Sequence, residues 1–252
     1  MTKIAFITGA TSGFGKASAE KFAAGGYDLI ITGRREDRLT AIKTDLEKRF
    51  NTAVLTSCFD VRNREEVFAA INNIPEDWQH VDVLLNNAGL AMGRDHFDDG
   101  DLDDWDTMID TNLKGLIYVT KAVLPFLKKS NHPHIINLGS VAAKEVYEKG
   151  NVYCASKAAV DTLSHAMRID LLKNNIKVTA IHPGAAETEF SLVRFKGDED
   201  TAKKIYDGLE PLTANDVADV IYYCATLPAH ICINDLVMTC TRQADGIYFN
   251  RQ

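Results

Sequence analysis

Short runs rich in Ile, Val and Leu alternate with longer amphipathic stretches along this chain, and that alternation leaves few folds open. Ile4–Thr8, Asp28–Thr32, Ala53–Cys58, Val81–Leu85, His134–Leu138 and Lys177–Ile181 read as six strands, with Asp235–Cys240 as a seventh. The stretches between them, Gly13–Ala24, Glu36–Phe50, Arg64–Asn72, Trp105–Lys129, Val152–Leu172 and Asn215–Leu227, carry helical periodicity. A strand that is apolar on both faces must be covered on both faces, which points to a parallel sheet between two helical layers. Pro125 falls late in a long helix and is expected to kink it or mark its last turns. One segment, Ala185–Thr213, is polar and charged and follows a strand without strong order signals of its own. Loops of that length in a compact domain are usually functional lids, and a short helix is expected near Lys203–Tyr206.

At 252 residues the chain suits a single α/β domain with a sizeable core, spanning residues 1–252 with the lid around 185–213. The formal net charge of −7 gives no electrostatic footprint for nucleic acid. No apolar run approaches the roughly 20 residues that span a bilayer, so no membrane partner is expected. The first strand begins at Ile4, which leaves no room for a signal peptide. The five cysteines are scattered and lack a Cys-x-x-Cys pair, as reduced thiols of a cytoplasmic protein would be. Cys154 is expected to pack rather than react. His132 and His134 flank Pro133 without a third ligand, so no metal site is expected.

Between the first strand and the first helix stands Thr8-Gly-Ala-Thr-Ser-Gly-Phe-Gly15. Gly9 permits a tight turn, while Gly13 and Gly15 remove side chains where backbone must approach a pyrophosphate or the sheet. The exposed N–H groups and dipole at the helix start then favour phosphate. The second strand selects the nucleotide. NAD-binding folds put a carboxylate near its end, on the ribose hydroxyls. Here the strand ends at Thr32-Gly33, followed by Arg34 and Arg35. Guanidinium groups match a 2′-phosphate through planar, charge-assisted hydrogen bonds, so NADP(H) is the expected cofactor. Asp60-Val61, Asn86-Asn-Ala-Gly89, Ser140 and Pro183-Gly184 also follow strand carboxyl ends, the edge along which open α/β sheets bind ligands.

Tyr153 and Lys157 are four residues apart, just over one helical turn, so phenol and ammonium share a helix face. A free tyrosine titrates at about 10. A neighbouring cation favours phenolate and is expected to bring that value toward the working pH. Ser140, thirteen residues earlier at a strand end, is placed to polarise the carbonyl that the tyrosine protonates.

Taken in order, Thr-Gly-x-x-x-Gly-x-Gly, Asn-Asn-Ala-Gly, Ser…Tyr-x-x-x-Lys and Pro-Gly make the whole chain resemble a short-chain dehydrogenase/reductase. The resemblance implies a three-layer, Rossmann-type doubly wound sheet of about seven parallel strands, commonly assembled as a homotetramer. It implies Tyr153 as general acid/base, Lys157 as the group that lowers its pKa and holds the nicotinamide ribose, and Ser140 as the carbonyl-orienting hydroxyl. Asn112, in Asp-Thr-Asn-Leu-Lys-Gly, matches the asparagine that anchors a water in the proton relay; the plain alternative is a helix-bending polar residue satisfied by backbone. Asp60 would meet the adenine amino group, and Asn86 and Ala88 the adenosine ribose. Thr188 would contact carboxamide or pyrophosphate. Thr11, Ser12, Phe14, Val61, Gly89, Pro183 and Gly184 complete the implied cofactor set.

Within the family the chain is most similar to a group of NADP-dependent 3-hydroxy acid dehydrogenases, which act on serine, L-allo-threonine and 3-hydroxyisobutyrate and reduce malonic semialdehyde. That likeness rests on Gly-Phe-Gly, Thr-Gly-Arg-Arg, Asp60-Val-Arg-Asn-Arg64, Asn87-Ala-Gly-Leu-Ala-Met-Gly93, Gly150-Asn-Val-Tyr153, Val193-Arg-Phe-Lys-Gly-Asp198 and Leu227-Pro-Ala-His-Ile-Cys-Ile-Asn234. Lys144–Lys149 and Met238–Arg242 depart from its pattern. A carboxylate substrate needs a cation, for which Arg194, Lys196 and Arg94 are the candidates, with Tyr147 and Asn151 at the pocket border. The competing expectations are a reductase of a 3-oxoacyl thioester, sugar or xenobiotic ketone, and a catalytically silent NADP-binding regulator. The last requires a broken catalytic set, whereas Asn112, Ser140, Tyr153 and Lys157 are all present.

Overall fold

The computed structural model describes residues 2–251. Seven parallel strands form one sheet: β1 (Ile4–Ile7), β2 (Asp28–Gly33), β3 (Val54–Cys58), β4 (Val83–Asn86), β5 (His134–Leu138), β6 (Lys177–Pro183) and β7 (Asp235–Met238). Their order is β3-β2-β1-β4-β5-β6-β7. The chain winds outward from β1 to β3, then returns to the other side of β1, so the order reverses between β1 and β4. Crossover helices diverge at such a reversal and leave a crevice above the strand ends.

Alternation along each strand feeds two separate cores. Ala5 and Ile7 point to one face, where they meet Phe22 of α1 (Gly13–Ala24), Leu39 of α2 (Glu36–Arg49) and Ile221 of the helix Ala214–Thr226. Ile4 and Phe6 point to the other, against Val67 of α3 (Arg64–Asn72) and Val119, Val123 and Phe126 further along. All four β1 residues are buried.

The stretch read as one helix, Trp105–Lys129, is three pieces. Asp101 caps α4 (Leu102–Ile109) by accepting the Asp103 N–H; a π-helical segment, Asp110–Gly115, follows; α5 (Leu116–Leu127) completes the run. The apolar periodicity runs on through the π segment, so a sequence pattern cannot separate it from α-helix. Pro125 sits in the last turn of α5, where its missing N–H removes only one helical bond. Next come α6 (Asn151–Asp170), α7 (Glu189–Arg194), α8 (Glu199–Lys204) and α9 (Ala214–Thr226). A capping box closes the start of α9: Thr213 Oγ1 accepts the Asp216 N–H, and the Asp216 carboxylate accepts the Thr213 N–H.

The segment 185–213 is more ordered than its composition suggests. It carries α7 and α8, and Ala186 and Leu212 pair in a parallel bridge that ties its ends together. Tyr206 O–H donates to the Ala186 carbonyl at 2.8 Å and lies 2.6 Å from Ser191 Oγ, which fastens the chain after α8 to α7.

Candidate active site

A groove of about 290 Å³ opens over the β1/β4 reversal. Gly9, Thr11, Ser12, Gly13 and Phe14 border it from the first turn, and Arg34 and Arg35 from the end of β2. Asp60 and Val61 follow β3 on its far side, and Ala88 and Gly89 follow β4. Gly9 takes a left-handed φ of +64°. Gly15 lies beneath the groove, so close to the Gly9 carbonyl and the Asn87 amide that any side chain would collide with them. Ser12 precedes α1 without making a side-chain cap bond. The first N–H groups of α1 therefore face the groove without a capping acceptor from Ser12.

Asn86 is placed elsewhere. Its amide points into the core and donates to Thr120 Oγ1 at 2.8 Å and Asn137 Oδ1 at 2.9 Å. Its neighbour Asn87 borders the groove and braces the glycine turn, donating to the Thr8 and Gly9 carbonyls. Strand alternation decides between them: one faces inward and the next outward. Phe59, Leu90, Thr111, Leu138, Gly139 and Glu189 also border the groove, and none of them was expected there. Glu189 pairs with Arg35 at 3.1 Å and Arg38 at 2.7 Å, joining the start of α7 to the start of α2.

A second cavity, of about 440 Å³, adjoins the first and shares Phe14, Gly139, Tyr153, Thr188 and Phe190 with it. Ser140, Tyr147, Pro183, Gly184, Arg94, Arg194 and Arg251 lie on its walls. Asn151 and Lys196 do not. The Asn151 amide donates to the Asp95 carbonyl, and the Lys196 ammonium pairs with Asp104 at 2.9 Å. Pro183 and Gly184 thus border this second cavity and not the first.

Tyr153, in the first turn of α6, is buried where the cavities meet, and Lys157 is buried one turn later. Ser140 opens a 3-10 turn, Val141–Ala143, and its Oγ accepts the Ala142 N–H at 3.1 Å, which fixes the hydroxyl oxygen. Burial pushes the Tyr153 phenol far above its ordinary value, and the Tyr147 phenol adds to the effect; the Ser140 hydroxyl and the Arg194 guanidinium offset part of it. Burial likewise pulls Lys157 down to about 8. The expectation that Lys157 lowers the phenol is not what the geometry gives. Lys157 Nζ donates to the Leu138 carbonyl at 2.8 Å, while the cation over the Tyr153 ring is Arg194, 5.4 Å from its centroid.

Arg194 is itself buried, at 9% exposure. Its guanidinium donates to the Gly93 carbonyl at 3.3 Å and the Tyr147 phenol oxygen at 3.1 Å, and it meets no carboxylate among the described residues. Asn112 lies in the π segment. Its amide exchanges hydrogen bonds with both backbone groups of Leu90 and donates to Ser156 Oγ. Its side chain is thus a polar group satisfied largely by backbone.

This pairing of a groove over the strand reversal with a tyrosine, lysine and serine where it meets a second cavity has a known counterpart. Residues 3–198 match the family model for short chain dehydrogenases. The chain belongs to the short-chain dehydrogenase family. Among curated members it is 49% identical to sulfoacetaldehyde reductase 2 of Chromohalobacter salexigens, over 97% of this chain and 96% of that one. It is 45% identical to an NADP-dependent 3-hydroxy acid dehydrogenase of Salmonella typhimurium, over 98% and 99% of the two chains. Among solved structures, a closed form of serine dehydrogenase complexed with NADP+ superposes with a TM-score of 0.91 at 44% identity, covering 99% of this chain and all of the other. The Rossmann-like sheet and the oxidoreductase class follow from these likenesses.

Proposed function

We propose that this short-chain dehydrogenase uses NADP(H) to interconvert a small 3-hydroxy acid and its 3-oxo acid or semialdehyde. The observation that carries the substrate class is Arg194: a buried guanidinium without a carboxylate partner among the described residues, seated over the ring of Tyr153. A buried cation costs stability unless something neutralises it. An anionic group a few ångströms from the reacting carbonyl does so, and a 3-oxo acid carries one.

The groove residues fit a phosphorylated dinucleotide. The start of α1, uncapped by Ser12, suits pyrophosphate, and the buried Thr111 hydroxyl on the groove wall has no partner among the described residues. Arg34 is more than half exposed, its contact with Asp60 a loose 3.8 Å, so its fork is available for a 2′-phosphate. When bound, the nicotinamide carries the hydride.

The protein's part is proton management and positioning. Ser140 and Tyr153 hold the substrate oxygen. Burial keeps the phenol protonated at neutral pH, so in reduction Tyr153 donates its O–H proton to that oxygen. In oxidation the phenol first gives its proton up toward neutral Lys157 or solvent, and the phenolate takes the proton of the substrate hydroxyl. Lys157, with its lowered pKa, returns a proton to the phenolate or holds the ribose beside it. Asn112 locks the Leu90 turn against α6; a relay through it runs from its main chain, since both ends of its amide are engaged. Residues 185–213 act as the lid, because Thr188 and Phe190 border both cavities and Arg194, at the far end of α7, borders the second. A homotetramer is the assembly the family implies, and Ile169, Leu172 and Val237 leave apolar surface to bury in it. A cytoplasmic site suits the five unbridged cysteines.

A second reading has its own support: a sulfonate in place of the carboxylate, from the 49% identity to a sulfoacetaldehyde reductase. A guanidinium fork accepts either oxyanion. The deciding experiment follows NADPH absorbance with malonic semialdehyde, sulfoacetaldehyde and a neutral aldehyde of equal length. Higher kcat/KM for malonic semialdehyde supports the carboxylate reading, and preference for sulfoacetaldehyde replaces it. Equal rates with the neutral aldehyde reject the anion argument altogether.

A further inference from the structure

Behind Ser140 lies a charged cluster to which the chemistry above gives no role. His182 on β6 is fully buried, and its ring presses so closely on Gly139 that a side chain at that glycine would overlap Nδ1. Nδ1 is 3.3 Å from the Ser140 backbone nitrogen and 3.2 Å from the Ser140 carbonyl oxygen. On the far side of the ring, Nε2 lies 3.4 Å from Asp161 Oδ1 on α6 and 3.4 Å from Asp235 Oδ1 on β7. Lys144, in the turn that follows Ser140, donates to Oδ2 of both aspartates. His165, one turn beyond Asp161, completes the set of titratable groups around these carboxylates.

The charges around the ring bias which nitrogen carries the proton. Nε2 forms no hydrogen bond among the described residues, and the Ser140 carbonyl draws a proton toward Nδ1. Two negative oxygens 3.4 Å from Nε2 nevertheless outweigh one neutral carbonyl and favour the proton there, which leaves the Nδ1 lone pair toward the Ser140 N–H. Burial holds the ring below its ordinary pKa, and the Lys144 charge adds to that; Asp235, Asp161 and the Ser140 carbonyl, which competes for a proton on Nδ1, act in the opposite direction. The imidazole is therefore neutral at pH 7. A metal ion between Asp161, His165 and Asp235 would have to displace the ammonium already hydrogen-bonded to two of them, Asp161 and Asp235.

We propose that His182 is a positioning residue for Ser140: as the neutral Nε2–H tautomer it accepts the Ser140 N–H and sets where the serine hydroxyl meets the substrate oxygen. Asp161 and Asp235 hold the tautomer, and Lys144 balances their charge. The inference rests on the role proposed above for Ser140. Ser140 Oγ already accepts from Ala142, so a backbone held at its nitrogen leaves the hydroxyl little freedom beyond aiming its own hydrogen.

Two variants separate positioning from packing. In His182→Asn the side-chain carbonyl falls near the place of Nδ1 and can accept the Ser140 N–H; in His182→Leu much of the volume is kept and the acceptor is lost. The leucine variant is expected to lower kcat by about tenfold, the effect of one hydrogen bond to an oriented group, with NADPH affinity unchanged, while the asparagine variant recovers most of the rate. Equal losses in both variants, or a leucine variant as fast as wild type, overturn the proposal. In Lys144→Met the imidazole faces two carboxylates without the balancing ammonium, so its pKa rises. Below that pKa both Nδ1 and the Ser140 N–H are donors and the contact breaks. The acid limb of the kcat profile should therefore move to higher pH; an unmoved limb removes Lys144 from the device. Nitrogen-15 NMR of the wild-type histidines reads the tautomer without substrate. A protonated Nε2 and bare Nδ1 at His182 are expected, and the opposite tautomer overturns the proposal even if either variant fails to fold. If the wild-type enzyme turns over no carbonyl with NADPH, the site reading fails separately, and the NMR result still decides the His182–Ser140 contact.

Discussion

Replacing Arg194 with methionine tests the anion argument directly. Methionine keeps much of the apolar stem and removes the fork, which at 9% exposure has little solvent to replace it. A hydrogen bond to a charged group contributes about 1.5–3 kcal/mol. A lost clamp on a carboxylate is then about 2–3 kcal/mol, or roughly 30- to 150-fold in kcat/KM for malonic semialdehyde. Part of any loss is common to all substrates, because Arg194 also helps restrain the rise of the Tyr153 pKa. The discriminating quantity is therefore the ratio of the loss for malonic semialdehyde to that for a neutral aldehyde, each read from initial rates of NADPH oxidation. Arg194→Lys keeps the charge without the planar fork and should recover part of the ratio. Losing the bonds to Gly93 and Tyr147 costs about 1 kcal/mol each in stability, offset by relief of the buried charge, and urea unfolding would register the net change separately. Equal losses for anionic and neutral substrates would refute the clamp.

Tyr153→Phe should fold and bind NADPH yet lose about 10²- to 10⁴-fold in turnover, the usual worth of a positioned acid/base; single-turnover rates check it, and retained activity overturns the assignment. Arg34→Ala should raise the Michaelis constant for NADPH by about tenfold or more and barely change that for NADH, since a charge-assisted phosphate contact is worth about 1.5–3 kcal/mol; equal effects on both cofactors count against a 2′-phosphate contact. Lys157 supplies a pH test in an alkaline window, where stability rises with pH. Burial sets its folded-state pKa at about 8 against an ordinary 10.5, so the buried ammonium costs stability in full below pH 8 and that cost fades as pH rises toward 10.5. Lys157→Met should therefore be more stable than wild type at pH 7, by on the order of 2–3 kcal/mol less the lost bond to Leu138, with the gap narrowing above about pH 8 in urea titrations. A gap independent of pH would refute it.

The sheet was legible because a strand covered on both faces has a simple composition. Every strand from β1 to β7 lies within a few residues of its expected place. The glycine turn was legible because Gly9 and Gly15 answer to backbone geometry that other residues do not satisfy. Direction was harder to read than position. Asn86 and Asn87 are adjacent and chemically identical, and only the register of β4 decides which faces the groove. Lys196 and Arg194 are two residues apart, yet one pairs with Asp104 at the surface and the other is buried over Tyr153. The π segment around Asn112 was hidden because it interrupts hydrogen bonding without interrupting the apolar pattern. The pairing of Glu189 was illegible, since it depends on Arg35 and Arg38, more than 150 residues away in sequence.

One short helix concentrates most of what distinguishes this site. Phe190 lies 5.7 Å from the Tyr153 ring and helps exclude water from it; Arg194, at the other end of α7, supplies the cation above that ring; and Glu189 links the same helix to the arginines at the end of the cofactor groove. Burial is also what raises Tyr153 and depresses Lys157. A movement of α7 away from the sheet would therefore rehydrate the phenol, bring it toward its ordinary value, withdraw the proposed anion clamp and break the Arg35–Glu189 pair in one step, while Arg35 kept its bonds to Thr11 and Ser12. On the proposed reading, a cofactor phosphate would compete with Glu189 for Arg35, while a substrate anion would hold Arg194 in place. The two ligands would then act on opposite ends of one six-residue helix, and affinity for either is expected to depend on where the other leaves it.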